Sequence, residues 1–311
     1  MKIFYAGTPA IAVPTLAALS DKYEVSGVLT NPDQPSGRKR ILTASPVKQE
    51  AVLRNLKIFQ PEKIDRDFEE IVSSIKADLL VTFAFGKIFK ESLLNIFPLG
   101  AVNIHPSLLP KYRGPSPITA AILNGDTETG ITVQKMAKRM DAGDIYLQEK
   151  FPLSGVETTE SLTEYVSGKA PDMIIRVIEY IIKGKMKPVP QNDSVATYCH
   201  IVNKNDGKID WSQSADKIER EIRAYNPWPG SFTVWQDKVL YLHNAVLYSR
   251  ENEKTEPGCV LGVDKAKGIL IQTGEGIIAV DRLQLQSKKA MDYKSFLNGN
   301  PQLTAAKLGD I

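Results

Sequence analysis

The feature that most narrows the fold is a change of hydrophobic period along the chain. In the first half, short continuous apolar runs recur: KIFYA (2–6), EVSGVLT (24–30), LKIF (56–59), DLLVTFAF (78–85) and GAVNIH (100–105). Helical patterns such as VKQEAVLRNL and DFEEIVSSIK separate several of them. Strands that are apolar at successive positions are buried on both faces, which requires a mostly parallel sheet covered by helices. Beyond about Pro229 the runs become FTVW, KVLYLHNAVLY, CVLGV, GILIQT and GIIAVDRLQLQ, split by QD, GVDKAKG and GEG. Short β-rich runs at that spacing predict a small all-β barrel or sandwich.

The expected class is therefore α/β: a Rossmann-like doubly wound, mostly parallel sheet, then a small C-terminal all-β barrel (OB-like). A chain of 311 residues exceeds what one core fills, which agrees with two domains. The expected boundaries are 1–183 for the α/β domain, 184–206 for a linker mixing Pro, Lys, Asn and Asp without period, and 207–311 for the β-rich domain. In the opening strand–turn–helix, Thr8 is placed to cap the first helix and Pro9 to enter its first turn. The stretch TTESLTEYVSGKAPDMIIRVIEYIIKGK predicts one or two helices interrupted near Gly168 and Pro171.

Net charge is only +3, so a nucleic-acid partner would have to be met by local basic patches. Two cysteines, Cys199 and Cys259, and three histidines, with no CxxC or HExxH, predict neither a disulfide framework nor a catalytic metal. With no targeting segment and no long apolar run, the expected address is the cytoplasm.

The stretch NIHPSLLPKYRGPSPI (103–118) carries the chemistry. Strand alternation puts Asn103 and His105 on one face, roughly 6.6 Å apart. Pro106 ends the ladder, so both side chains emerge at the carboxyl end of a strand, where open α/β sheets bind ligands. A carboxamide donates hydrogen bonds without changing charge, which suits a developing oxyanion, and an imidazole can hold or release a proton near neutral pH. Asp141, in KRMDAGDI between two strand-like runs, fits a simple turn better than a catalytic acid on local pattern alone. Residues 30–48, TNPDQPSGRKRILTASPVK, read as a long exposed loop whose Arg38, Lys39 and Arg40 invite phosphate or merely solvate the loop. The first turn is GTP and not GxGxxG, and neither GxxxxGK[ST] nor GxSxG occurs.

The 103–118 run, with Asp141 downstream in MDAGDI, resembles the 10-formyltetrahydrofolate-dependent formyltransferases. Three further stretches, IFYAGTP, PDQPSGRKRILTASPVK and IDWSQSA…IRAYNPWPG, resemble the branch of that family that acts on a charged tRNA. The resemblance implies catalytic roles for Asn103, His105 and Asp141, and a folate-contacting loop at Ser107, Leu108, Leu109 and Pro110. It implies tRNA contacts at Arg38, Lys39 and Arg40, and a tRNA-binding role for the C-terminal domain. The implied reaction moves a formyl group from 10-formyltetrahydrofolate, as co-substrate, to the α-amine of methionyl-initiator tRNA. No metal, no membrane and a monomeric enzyme are expected with it. A related enzyme acting on a sugar-nucleotide amine shares the Asn/His/Asp set, but its substrate needs no basic loop of this size.

Overall fold

The computed structural model describes residues 1–37, 40–185 and 187–309. Two compact units emerge. The first comprises Met1–Pro117, Glu128–Pro152 and Thr163–His200; the second comprises Ile118–Thr127, Leu153–Leu162 and the chain from Ile201.

The first unit is built on seven strands: β1 (Lys2–Gly7), β2 (Glu24–Leu29), β5 (Ile58–Phe59), β6 (Leu79–Phe83), β7 (Ala101–His105), β8 (Glu128–Lys135) and β9 (Ile145–Pro152). Their order is β5-β2-β1-β6-β7-β8-β9. The first five are parallel neighbours, whereas β8 and β9 add antiparallel at the edge. β6 is buried at every position. The apolar runs thus form strands because helices cover both of their faces: α1 (Val13–Lys22), α2 (Pro46–Leu53), α3 (Arg66–Ile75), the short α4 (Glu91–Leu94) and α6 (Thr159–Ile182). One core cluster joins Phe4, Leu29, Phe68, Val72, Leu80, Phe85 and Phe97. A two-stranded hairpin, β3 (Gln34–Ser36) with β4 (Ile41–Thr43), stands where an irregular loop was expected.

The helix α6 is continuous although Pro171 lies inside it. Val166 and Ala170 before the proline, and Met173, Ile174, Val177 and Ile178 after it, are all buried. An apolar stripe spanning both sides of the proline outweighs the one backbone hydrogen bond that proline removes. Thr8 caps no helix. A 3₁₀ turn, Ala10–Ala12, precedes α1, and its N-cap Pro9 offers no side-chain hydrogen bond. The Thr8 hydroxyl instead reaches the Phe85 carbonyl at 3.5 Å and accepts from the Asn31 amide at 3.4 Å, which stitches together the segments that follow β1, β2 and β6.

The second unit holds α5 (Pro117–Leu123, from Ile118 onward), α7 (Ala215–Ala224), α8 (Tyr293–Gly299) and an antiparallel sheet. Its strands are β10 (Ser231–Trp235), β11 (Lys238–Ser249), β12 (Val260–Asp264), β13 (Gly268–Gln272), β14 (Ile277–Leu285) and β15 (Met291–Asp292). They pair in the order β10-β11-β14-β13-β12, with β15 on β14. Trp211, Ile218, Ile222, Leu240, Leu242, Ile269, Val280 and Phe296 form its core. Among the described residues no helix is long and apolar enough to cross a membrane.

Leu80 is fully buried between Phe4 of β1 and Ala101 of β7. Leu80→Ala should cost about 2–5 kcal/mol through lost apolar transfer and the cavity left behind. The urea unfolding midpoint should fall with little change of slope.

Candidate active site

Residues opposite one another on paired strands share a face. The register pairs Thr82 of β6 with Asn103 of β7, and Asn103 with Gln134 of β8; His105 pairs with Thr132 in the next row. Three strands therefore present a polar row, Thr82–Asn103–Gln134, at the carboxyl end of β6 and β7. The Thr82 hydroxyl donates to Asn103 Oδ1 at 2.7 Å, which turns the amide nitrogen of Asn103 outward.

That nitrogen faces Asp141, which lies in the connection from β8 to β9. Asp141 Oδ1 is approached by Gln134 Nε2 at 2.9 Å, Asn103 Nδ2 at 3.4 Å and His105 Nδ1 at 3.5 Å. Its other oxygen accepts from the Gly114 backbone amide at 2.9 Å. Two short bonds fix the carboxylate. The two long ones hold Asn103 and His105 only loosely, which leaves the Asn103 N–H able to turn to another acceptor. Among the described residues, Asn103 Nδ2 has no second acceptor within hydrogen-bond distance.

His105 is 4 % exposed, and its Nε2 lies 2.9 Å from the Tyr112 carbonyl. A carbonyl only accepts, so Nε2 carries a hydrogen and Nδ1 is the nitrogen turned to Asp141. The structure thus brings together Asn103, His105 and Asp141, residues separated by up to 38 positions.

The backbone of Asp141 has φ +51°, a left-handed conformation that Asp tolerates better than most residues. Two residues on, a Cβ at Gly143 would fall on the Lys135 carbonyl, so only glycine allows the connection to lie this close to β8. At Gly114, with φ +125°, a Cβ would strike the Cys199 carbonyl. Burial pushes the Cys199 thiol above its ordinary range, although a Ser116 amide bond opposes this. A thiol held protonated is a poor nucleophile.

The loop after His105 is tied down internally. The Ser107 hydroxyl donates to the Lys111 carbonyl at 2.6 Å, and Thr132 Oγ1 donates to the Ser107 carbonyl at 2.6 Å while accepting from the Leu109 amide at 3.2 Å. Ser107 and Leu109 are buried, whereas Leu108 and Pro110 keep accessible surface. Arg38 and Lys39 lie outside the described residues. Arg40 is exposed between β3 and β4 with φ +48°. Lys48, also in that basic segment, is paired with Asp33 at 2.7 Å. No described contact joins Arg40 to Asn103, His105 or Asp141. Among the described residues no group of three His, Cys, Asp or Glu could hold a metal.

Sequence reasoning missed Gln134, Thr82, Arg113 and Gln191. The strand alternation of GITVQKM could have marked Gln134, but nothing local marks Gln191. The stretch Thr163–His200, which includes much of the segment expected as a linker, groups with the first unit. The Arg113 side chain is 2 % exposed, and its Nε and Nη2 donate to Gln191 Oε1 at 3.0 and 2.8 Å. Its Nη2 also meets Asp193 Oδ1 at 2.7 Å, and Asp193 Oδ2 meets Arg139 at 2.7 Å. A buried guanidinium needs such partners, and a residue with no hydrophobic period can supply them.

Residues 1–178 match the formyl transferase family, and residues 201–301 match the formyl transferase C-terminal domain family. The chain is 45% identical to a methionyl-tRNA formyltransferase from Treponema denticola, covering 97% of both sequences. A crystal structure of an N-formyltransferase from Helicobacter canadensis, in complex with folinic acid and dTDP-3-aminofucose, superposes with a TM-score of 0.65 at 22% identity, over 90% of this chain and 99% of that one. HypX from Aquifex aeolicus in complex with tetrahydrofolic acid gives a TM-score of 0.63 at 19% identity over 95% of this chain, which spans about half the length of that protein, 46%. These two structures share the fold.

The two arginines, Arg139 foremost and then Arg113, hold the Asp193 carboxyl below its ordinary value of 3.8. A lowered folded-state value stabilises above the unfolded value, and that contribution is lost as pH falls through the folded value. Asp193→Asn should therefore destabilise the protein at neutral pH. The gap from wild type should begin to narrow as pH falls below about 3.8 and vanish only at lower pH, in urea titrations followed by far-ultraviolet circular dichroism.

Proposed function

The chain belongs to the formyl transferase family, and we propose that it transfers a formyl group from 10-formyltetrahydrofolate to the α-amine of methionyl-initiator tRNA. The observation that carries this reading is the convergence of Asn103 Nδ2 and His105 Nδ1 on one oxygen of a fixed Asp141. The relative that is 45% identical over 97% of the chain supplies the acceptor. The co-substrate is assigned to the end of β7, where Asn103 is loosely held and the following loop keeps accessible surface at Leu108 and Pro110.

In this reading the amine nitrogen bonds to the formyl carbon, and the bond from that carbon to N10 of the folate breaks. The attacking amine must be neutral, and a free α-amine ionises near about 8, so a proton acceptor beside it assists. Asn103 Nδ2 turns its N–H to the oxyanion that develops on the formyl oxygen, and His105 Nδ1 donates beside it when protonated. Asp141 keeps His105 oriented, and the Asp141–Nδ1 pair takes up the proton that the amine loses. The folate nitrogen gains a proton as it leaves. Neither a covalent enzyme intermediate nor a metal enters these steps. Because charged tRNA is the acceptor, the reaction belongs in the cytoplasm.

Residues 1–183 hold this chemistry. Arg38, Lys39 and Arg40, in the basic segment 30–48, grip the tRNA near its charged end. Residues 207–311 hold its backbone, with Arg282, Lys288 and Lys289 exposed on the antiparallel domain. An assay offering either charged initiator tRNA or an amino-sugar nucleotide, with 10-formyltetrahydrofolate, tests the reading. Formylation of the sugar and not of the tRNA would overturn it.

Asn103→Ala and His105→Ala should each lower kcat by about 10²–10³ while folate affinity and melting temperature stay near wild type. A variant that keeps its kcat removes that residue from the site. Arg38→Ala, or charge reversal at Lys288 and Lys289, should act differently and raise KM for tRNA. The charge reversals should also flatten the dependence of affinity on salt. An unchanged KM in every one of these variants would sink the assignment of both surfaces to tRNA.

A further inference from the structure

We propose that Gln191 is a positioning residue for the reaction assigned above, on which this inference rests: it fixes the Asp141 carboxylate by holding the backbone that carries it. Gln191 Nε2 donates to the Asp141 carbonyl at 2.8 Å and to the Gly143 carbonyl at 2.7 Å, with Gln134 Oε1 at 3.3 Å. Its Oε1 accepts both contacts from the buried Arg113. Arginine only donates and a backbone carbonyl only accepts, so the orientation of the amide is dictated by its neighbours. A carboxamide is the side chain that can accept on one side and donate twice on the other.

The position of Gln191 is itself secured on both flanks. Val189 exchanges two backbone hydrogen bonds with Ile145 at the start of β9, at 2.8 and 2.9 Å. On the other side, Asp193 binds Arg113 and Arg139, and the Arg113 amide donates to the Thr197 carbonyl at 2.9 Å. The connection it grips is otherwise tied at its ends, by the Lys135 amide on the Asp144 carbonyl at 2.8 Å, and through Arg139 on Asp193. Residues 137–140 are exposed, and the Asp141 backbone sits in the left-handed region, which an L-residue leaves readily when released. Two carbonyls pinned two residues apart, at 141 and 143, set the direction in which the Asp141 side chain leaves the chain. Gln134 and Gly114 then meet its two oxygens. A segment that reads as a linker thus closes a path from a buried cation to the acid of the site.

Gln191→Glu separates anchoring from positioning. The carboxylate still pairs with Arg113 but presents an acceptor to two carbonyls, so the melting temperature should hold while the Asp141 connection is released. In methionyl-tRNA formylation by the full-length protein, kcat should fall about 10- to 100-fold, with KM for folate and tRNA within about twofold. Gln191→Asn, which keeps the chemistry but is one methylene shorter, should show the same split and serves if the glutamate variant does not fold. Because Gln191 acts through Asp141, adding either change to Asp141→Asn should cost no more than about twofold beyond the single variant. Full kcat in folded Gln191 variants, beside a depressed Asp141→Asn, would overturn this proposal alone. Losses that multiply in full across the pair would also overturn it. Full kcat in Asp141→Asn would instead sink the reading of the site and this proposal with it.

Discussion

The site depends on one reversal of direction in the sheet. Four parallel pairings bring β6 and β7 side by side, and β8 then runs antiparallel against β7. The antiparallel strand sets Gln134 beside Asn103, and the connection from β8 to β9 then carries Asp141 back to Gln134 and Asn103. Asn103, His105 and Asp141 meet because the connection between β8 and β9 folds back toward Asn103 and His105.

Around Asp141 the structure divides its hydrogen bonds by strength. Gln134 and Gly114 hold the carboxylate at 2.9 Å, whereas Asn103 and His105 stand off at 3.4 and 3.5 Å. The carboxylate is thereby pre-organised, and in the proposed reaction the Asn103 amide stays available to a charge that develops there. The loop from Ser107 to Pro110 follows the same logic. Its backbone is satisfied by Thr132, and its Leu109 carbonyl accepts from Gln148 at 2.8 Å, so its ordering cost is met on folding and not during turnover.

Two expectations failed for reasons of packing. Pro171 does not break α6, because buried residues on both sides of it keep the helix against its neighbours. Thr8 is drawn away from helix capping because its hydroxyl lies among the segments that follow three strands and bonds there. In both cases the local preference is worth about 1–3 kcal/mol, and contacts distant in sequence outweigh it.

Much was legible in the chain alone. Apolar runs placed the parallel strands because burial on both faces leaves no polar alternation. The step from Asn103 to His105 placed both on one face because the strand period is two. Gly143 and Asp141 read as a turn, and a turn they form. What the chain alone left open was which turn meets which strand end. Nothing in KRMDAGDI says that its aspartate faces His105, since that follows from the direction of β8 and the register of its pairing. Nothing in PVPQND says that Gln191 spans Arg113 and the Asp141 connection, because that stretch has no period to read and its partners lie 50 and 78 positions away. Residue type and spacing determined the strands and the chemistry available at their ends. The tertiary structure decided which groups meet, because hydrogen bonds between distant segments depend on where the sheet brings their backbones.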